Sequence, residues 1–227
     1  MEIKTDAYKR EGMYLHLADG DFFDFSRENI QKLADEYWND PSKLPPRVRE
    51  NEYFKTCTVC PYKGQDVFCS AMKPLLPFLD KMEKFSSFDR VTAVYVRHEG
   101  LIHVAETAMQ DALQYVTNMS IFEYCENAKQ FRLYFRSVMP FMGLNEAAAI
   151  TFLNIYWLNA GDREKVNSAA RKMVSDITQT TSSCVKRLNL MCDSDAFMNA
   201  YVKTQIFAQV LTLNMNSVLQ EYFKGAT

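Results

Sequence analysis

Three cysteines in one short stretch, Cys57-Thr58-Val59-Cys60-Pro61-Tyr62-Lys63-Gly64-Gln65-Asp66-Val67-Phe68-Cys69, constrain this chain more than any other feature. A C-x2-C pair can grip one ion from a tight turn, and Gly64 supplies the bend that carries Cys69 back to the same point. A tetrahedral site needs a fourth donor. Cys125, at the end of a predicted helix, is the first candidate. His98 and His103, which flank a predicted hairpin turn, are the alternatives. Cys184 and Cys192 fall on or near the inward side of a long predicted helix, where free cysteine serves as a small buried hydrophobe. Four thiolates suit zinc and equally an iron–sulfur cluster, and one C-x2-C pair leaves both open, as it does a metal-free group of thiols. A thioredoxin-like redox pair is disfavoured because no βαβ pattern surrounds Cys57 and Cys60.

The rest of the composition says where such a site would work. Hydrophobic residues make up 48% of the 227 and charged residues 24%, so a folded core is expected rather than disorder. Net charge is -2 and the 26 basic side chains are scattered, as in Arg47/Arg49, Arg132/Arg136 and Lys186/Arg187. That lacks the dense basic run of a nucleic-acid binder, and no nucleic-acid partner is expected. The first residues carry no apolar leader, and the apolar stretch near Ala147 to Leu158 is too short to span a bilayer. A cytoplasmic protein without membrane attachment is therefore expected, in a compartment where clustered thiols stay reduced and argue for metal or redox chemistry.

Along the chain, apolar alternation and the Asp19-Gly20 turn signal predict a hairpin within Met13 to Phe25. Ser26 is placed to cap a helix whose stripe is Ile30, Leu33, Ala34 and Tyr37. Asp40-Pro41 ends it, and Pro45-Pro46 predicts an irregular continuation. Val67 to Phe85 reads as helix kinked or divided at Pro74 and Pro77. Phe88 to Arg97 is apolar on both faces, as a central strand is, and turns at His98-Glu99-Gly100 into a return strand, Leu101 to Ala105. Beyond Thr107 helical periods dominate. The stripes are Met109/Ala112/Leu113/Val116/Met119, Phe131/Tyr134/Phe135/Val138, a helix capped by Asn145 with Ile150, Leu153 and Trp157, and a long helix opened by Asp162. The long helix runs through Val166, Ala169, Met173, Ile177, Cys184 and Leu188. After Asp193-Ser194-Asp195 a last helix carries Ala200, Phe207, Val210, Leu213 and Val218. The expected fold is α+β and predominantly helical. A small antiparallel sheet from two hairpins precedes a five- to six-helix body, in one domain over 1–227, with hairpins, cysteine loop and first helices in 1–105 and the helical body in 106–227.

These residues resemble an uncharacterised bacterial domain family of unknown function. Its pattern opens with a Cys-x2-Cys-Pro step and a third cysteine nine residues on, matched here by Cys57, Cys60-Pro61 and Cys69. A Leu-Gln-like step follows at Met109-Gln110, then a distant cysteine at Cys125, the pair Pro140-Phe141, and a stretch from Asp195 to Asn199-Ala200. The chain departs from the pattern around Cys125, which is flanked by Tyr124 and Glu126 rather than by glycine and proline, and at Val138, where the family tends to carry histidine. The resemblance implies no activity, since the family has none assigned.

Established catalytic patterns are missing. No two of the seven glycines stand close enough for a phosphate-cradling loop, and neither H-E-x-x-H nor G-x-S-x-G occurs. His16 reads as a satisfied strand residue, and His98 or His103 with Glu106 or Asp111 makes only a weak acid–base constellation. Twelve methionines and 13% aromatic residues fit a core of large side chains. The expected function is therefore a non-catalytic metal-binding domain, with zinc or an iron–sulfur cluster on Cys57, Cys60, Cys69 and Cys125. Such a domain is regulatory or binds an unknown protein partner or a second copy of itself. A redox sensor on the same cysteines and a metal-free helical interaction module are the competing readings.

Overall fold

The sheet begins with β1 (Gly12–Leu17) and β2 (Phe22–Ser26), paired so that Met13 faces Phe25 and Leu15 faces Phe23. The structure, a computed structural model, describes residues 8–51, 57–65 and 67–213. At the start of β1 the neighbouring strand comes so close that a Cβ on Gly12 would stand 2.3 Å from the Ser26 Cα, so only glycine fits. β3 (Arg90–Val96) and β4 (Ile102–Ala108) form the second hairpin. β1 also pairs antiparallel with β3, and the two hairpins merge into one four-stranded sheet of order β2-β1-β3-β4.

This central place explains why β3 is apolar on both sides. Val91 and Ala93 enter the main core with Met13, Leu15, Phe23 and Phe25. Val94 and Val96 turn the other way, under Tyr8, Tyr14 and Ile102. His16 on that second face meets the Tyr8 hydroxyl through Nε2 at 2.6 Å, and partial burial lowers its pKa.

Between the hairpins, proline chemistry decides the local structure. α1 (Arg27–Asn39) has Ser26 at its N-cap, but the serine side chain makes no capping bond. Asp24 holds the backbone instead, its carboxylate accepting from the Ser26 N–H at 2.7 Å. The segment after Pro45 is not irregular as expected: α2 (Pro46–Asn51) forms with Pro46 at its first position, where a fixed φ is an advantage and no N–H is missed. The helix expected from Val67 to Phe85 does not form as one piece. Pro74 and Pro77 leave only 3-10 turns at Ser70–Met72 and Leu76–Phe78 and one α-turn, α3 (Leu79–Met82). Their apolar residues are nonetheless buried, Met72, Leu75, Leu79 and Met82 among them.

The helical body comprises α4 (Met109–Met119), α5 (Leu144–Leu158), α6 (Arg163–Met191) and α7 (Asp195–Leu213). With the π turn Ser120–Tyr124 and the 3-10 helix Ala128–Phe135 this is the expected five- to six-helix body, the Phe131/Tyr134/Phe135 stripe forming the 3-10 piece. Its three-residue spacing satisfies that tighter period as well as the α-helical one. α5 begins at Leu144, with Gly143 rather than Asn145 at the N-cap. Its buried side is Ala147, Ala148, Thr151 and Ile155, whereas Leu153 and Trp157, on the helix as expected, are exposed, Trp157 by 83%. Asp162 caps α6 as expected, accepting from the Glu164 and Lys165 N–H groups at 3.0 and 3.1 Å. α7 packs along α6 and α4, burying Phe197, Ala200, Tyr201 and Ala208 completely. The side chain of Leu213 and all of Val218 lie outside the described residues.

Candidate functional site

Four separate pieces of chain meet at one small cavity of about 50 Å³. The first is the 57–65 loop, closed by turns in which Lys63 N–H donates to the Cys60 carbonyl at 3.1 Å and Gln65 N–H to that of Tyr62 at 3.0 Å. Gly64, at φ +83°, takes the left-handed conformation that reverses this loop. The Thr58 hydroxyl donates to Gln179 Oε1 at 2.8 Å and fastens the loop to α6. The second piece is Cys69, whose carbonyl accepts from the Met72 N–H at 2.9 Å and so opens the 3-10 turn.

The third piece is Cys125. α4 does not end cleanly but runs into a π-helical turn, Ser120–Tyr124, and the Cys125 N–H donates to the Ser120 carbonyl at 2.9 Å. The wider turn changes the direction in which the next residue points, and this one presents Cys125 to the cavity. Cys125 Sγ in turn accepts from the Ala128 N–H at 3.5 Å. The fourth piece is the middle of α6, where Thr180, Cys184 and Arg187 share the wall.

Five of the six cysteines thus line one cavity: Cys57, Cys60, Cys69, Cys125 and Cys184. Cys192 lies elsewhere, at the end of α6. His98 is on the β3–β4 turn, 2.8 Å from Glu99, and His103 is on β4 beside the Tyr95 ring; neither lines this cavity. Glu106 accepts a hydrogen bond from Thr92 and Asp111 pairs with Lys203, so neither acid is engaged with a histidine.

The electrostatics of the cavity oppose one another. Burial pushes the Cys69, Cys125 and Cys184 thiols up, Cys125 to about 11. Arg187, only 5% exposed, pulls Cys69 and Cys184 back down, as the backbone N–H groups of Ala128 and Asn127 do for Cys125. Behind the thiols, Tyr201 and Ser120 share a fully buried hydrogen bond, and the Ser120 hydroxyl reaches the Ala71 carbonyl. This link ties α7 and the π turn to the turn that follows Cys69.

The donor set fits a thiophilic metal, since soft thiolates select zinc and iron–sulfur clusters. A cation among the donors, Arg187, offsets the charge that bound thiolates would bring. Among the described residues no three cysteine, histidine, aspartate or glutamate side chains are gathered tightly enough to close on a metal ion. The thiols instead surround a volume several times the roughly 10–15 Å³ needed to admit one water. The Thr180 hydroxyl, buried in the same wall, has no hydrogen-bond partner in the protein among the described residues.

The model of a domain of unknown function, DUF6901, matches residues 13–225. The chain belongs to this family. No curated protein and no solved structure matches it. The DUF6901 region takes in the sheet from Met13 onward, the helical body and all six cysteines.

Cys184 and Arg187 are the site residues that the sequence reading missed. Their signal lay in the inward stripe of α6, where Thr180 and Arg187 interrupt an otherwise apolar series with polar groups that end up 2% and 5% exposed. Polar residues on a buried stripe need partners, and here they border the thiols. Among the described residues no helix is long and apolar enough to cross a membrane.

Proposed function

We propose that this DUF6901 chain is a non-catalytic metal-binding protein in which Cys57, Cys60, Cys69 and Cys125 hold a metal centre, with Cys184 as a fifth thiol beside it. The observation that carries this reading is the convergence of five cysteines from four separate segments on one cavity. Three of those thiols lie in the 57–69 stretch, which carries no helix or strand among the described residues, so the centre would tie the N-terminal third to the helical body. Metal-binding energy would then be folding energy. Zinc and an iron–sulfur cluster are the two occupants the donors suit. The width of the cavity favours the cluster, because zinc sits about 2.3 Å from each sulfur and would need the thiols drawn into a closed shell. The unpartnered Thr180 hydroxyl is placed to donate to a sulfide or thiolate sulfur. A regulatory or partner-binding role fits the apolar end of α5, where Leu153, Tyr156, Trp157 and Leu158 are exposed and available to a partner or a second copy.

Metal and acid-labile sulfide analysis of anaerobically purified protein tests the reading, alongside single Cys57→Ser, Cys69→Ser, Cys125→Ser and Cys192→Ser variants. Bound metal is expected in the parent and in Cys192→Ser, and its loss in the other three. Iron with sulfide identifies the cluster, and stoichiometric zinc without sulfide identifies the single ion. Protein with no metal after reconstitution with either would sink the proposal and leave a metal-free interaction module.

A further inference from the structure

A second and much larger cavity, about 890 Å³, lies on the other side of the π turn. It is walled by β4, α4, α7 and the segment from Arg132 to Met142. That is the size of a small-molecule pocket, and its walls combine apolar residues with seven charged ones. The walls include Met119, Phe122, Phe135, Val138, Met139 and Phe207, adaptable sulfur and aromatic groups that suit an apolar ligand body.

Part of the polar lining adjoins the surface. Arg27 and Arg132 both line the cavity and also border the adjoining surface groove together with Glu123. Tyr115 lies within electrostatic reach of Arg27 and Glu123. The acids of the cavity are already engaged: Glu123 holds Arg27 through both oxygens, Asp111 pairs with Lys203, and Glu106 accepts from Thr92. Arg132, by contrast, takes part in no ion pair among the described residues. The Tyr115 hydroxyl is buried and has no partner there either. A buried hydroxyl without a partner is costly, and this one, with almost no accessible surface of its own, meets a ligand group when its side chain turns toward the cavity. Burial raises the pKa of Tyr115, which keeps the hydroxyl a donor. A protonated donor and an uncommitted guanidinium in a wall shared with apolar residues complement a negatively charged head on an apolar body.

The rim carries a further mark of a built site. Ser137 and Phe141 adopt positive φ, 73° and 68°, a conformation that L-residues rarely take. The strap is held there by α5, whose Asn154 side chain donates to the Tyr134 and Arg136 carbonyls at 3.0 and 2.6 Å.

We infer that this cavity binds an apolar small molecule bearing a carboxylate, of the chemical class of a medium-chain fatty acid. The Tyr115 hydroxyl and Arg132 take the carboxylate, and the chamber around Phe122, Phe135 and Phe207 takes the body. This site shares no wall residue with the thiol cavity: the π turn lines it through Phe122 and Glu123 and leads into Cys125 at the other.

The test is titration calorimetry of the purified full chain with dodecanoate, dodecanol, dodecylammonium and dodecyl phosphate, each below its micelle concentration. Dodecanoate is expected to saturate at one per chain and to bind about tenfold more tightly than dodecanol, the worth of one charge-assisted contact. Dodecylammonium is expected to bind most weakly. Arg132→Gln should erase the preference for dodecanoate over dodecanol while leaving dodecanol binding in place, and Tyr115→Phe should weaken dodecanoate by about tenfold. Ile206→Trp, a filling substitution at a partly exposed wall position, should abolish binding of both with the circular dichroism spectrum unchanged. Equal affinity for all head groups, binding without saturation, no binding, or an Arg132→Gln variant that keeps the preference would each overturn the inference. Tighter binding of dodecyl phosphate than of dodecanoate would overturn its carboxylate assignment.

Discussion

Cys125 is held at the meeting point of two demands, a buried wall that keeps its thiol protonated and a cavity whose other donors are also thiols. Burial raises Cys69, Cys125 and Cys184 above the ordinary thiol value of 9.0, Cys125 to about 11. In the metal-free fold these groups keep protons that the unfolded chain loses near pH 9. Their contribution to stability is therefore complete below about pH 9 and is lost as the pH rises towards 11. The melting temperature of metal-free protein should fall across that window, and the fall should be shallower in Cys125→Ser. Metal binding needs the thiolates, so uptake should release protons and weaken as the pH is lowered, which proton-release titration reads directly. Behind the thiols, Tyr201→Phe removes one member of the buried Ser120 link. A loss of about 1–3 kcal/mol is expected in denaturant unfolding; no loss would mean that Ser120 is satisfied by the Ala71 carbonyl alone.

At the scale of elements, the non-α turns do the positioning. A regular helix continued through Ser120–Tyr124 would aim residue 125 differently, and the π turn both delivers Cys125 to the thiol cavity and presents Phe122 to the larger one. α2 is fastened by Arg47, which donates to the Leu190 carbonyl at 2.9 Å and to both oxygens of Asp193 just beyond the end of α6. A cation there also meets the negative end of the α6 dipole. Because the pair is largely exposed, Arg47→Ala should lower the urea midpoint only slightly, and less in high salt. Its larger effect should be on metal retention, since α2 leads into the cysteine segment. Equal metal loss rates in parent and variant would show that α2 does not brace the loop.

At the scale of the molecule, one apolar cluster runs from Met13 on β1 to Leu211 on α7, so both halves of the chain share a core. The proposed centre would then reinforce a fold that already has a core rather than create one. Chelation is expected to lower the melting temperature while leaving much of the helicity, with the loss concentrated in protease protection of the 57–69 segment. Full unfolding on chelation would assign the centre a larger share of the stability. A melting temperature indifferent to chelation would remove its structural role.

The hairpins, the caps at Asp162, the break between α6 and α7 and the burial of β3 on both faces were legible because each rests on local chemistry. Turn residues, apolar period and capping oxygens act within a few positions of one another. The C-x2-C-x8-C stretch and Cys125 were legible as donors for the same reason, thiols being identifiable wherever they stand. What stayed hidden depended on contacts between distant segments. The pairing of β1 with β3 has no turn to announce it. The buried side of α5 was not legible, because alanines can face a close neighbour while Leu153 and Trp157 stay outside. Cys184 and Arg187 look like ordinary helix residues until the 57–65 loop folds over them. The methionine and aromatic residues that composition assigned to the core also wall a cavity. The sequence by itself determined the α+β class and where thiols are concentrated. Only the tertiary structure decided which of them meet, because burial and convergence arise from packing between elements and not from any property of a single stretch.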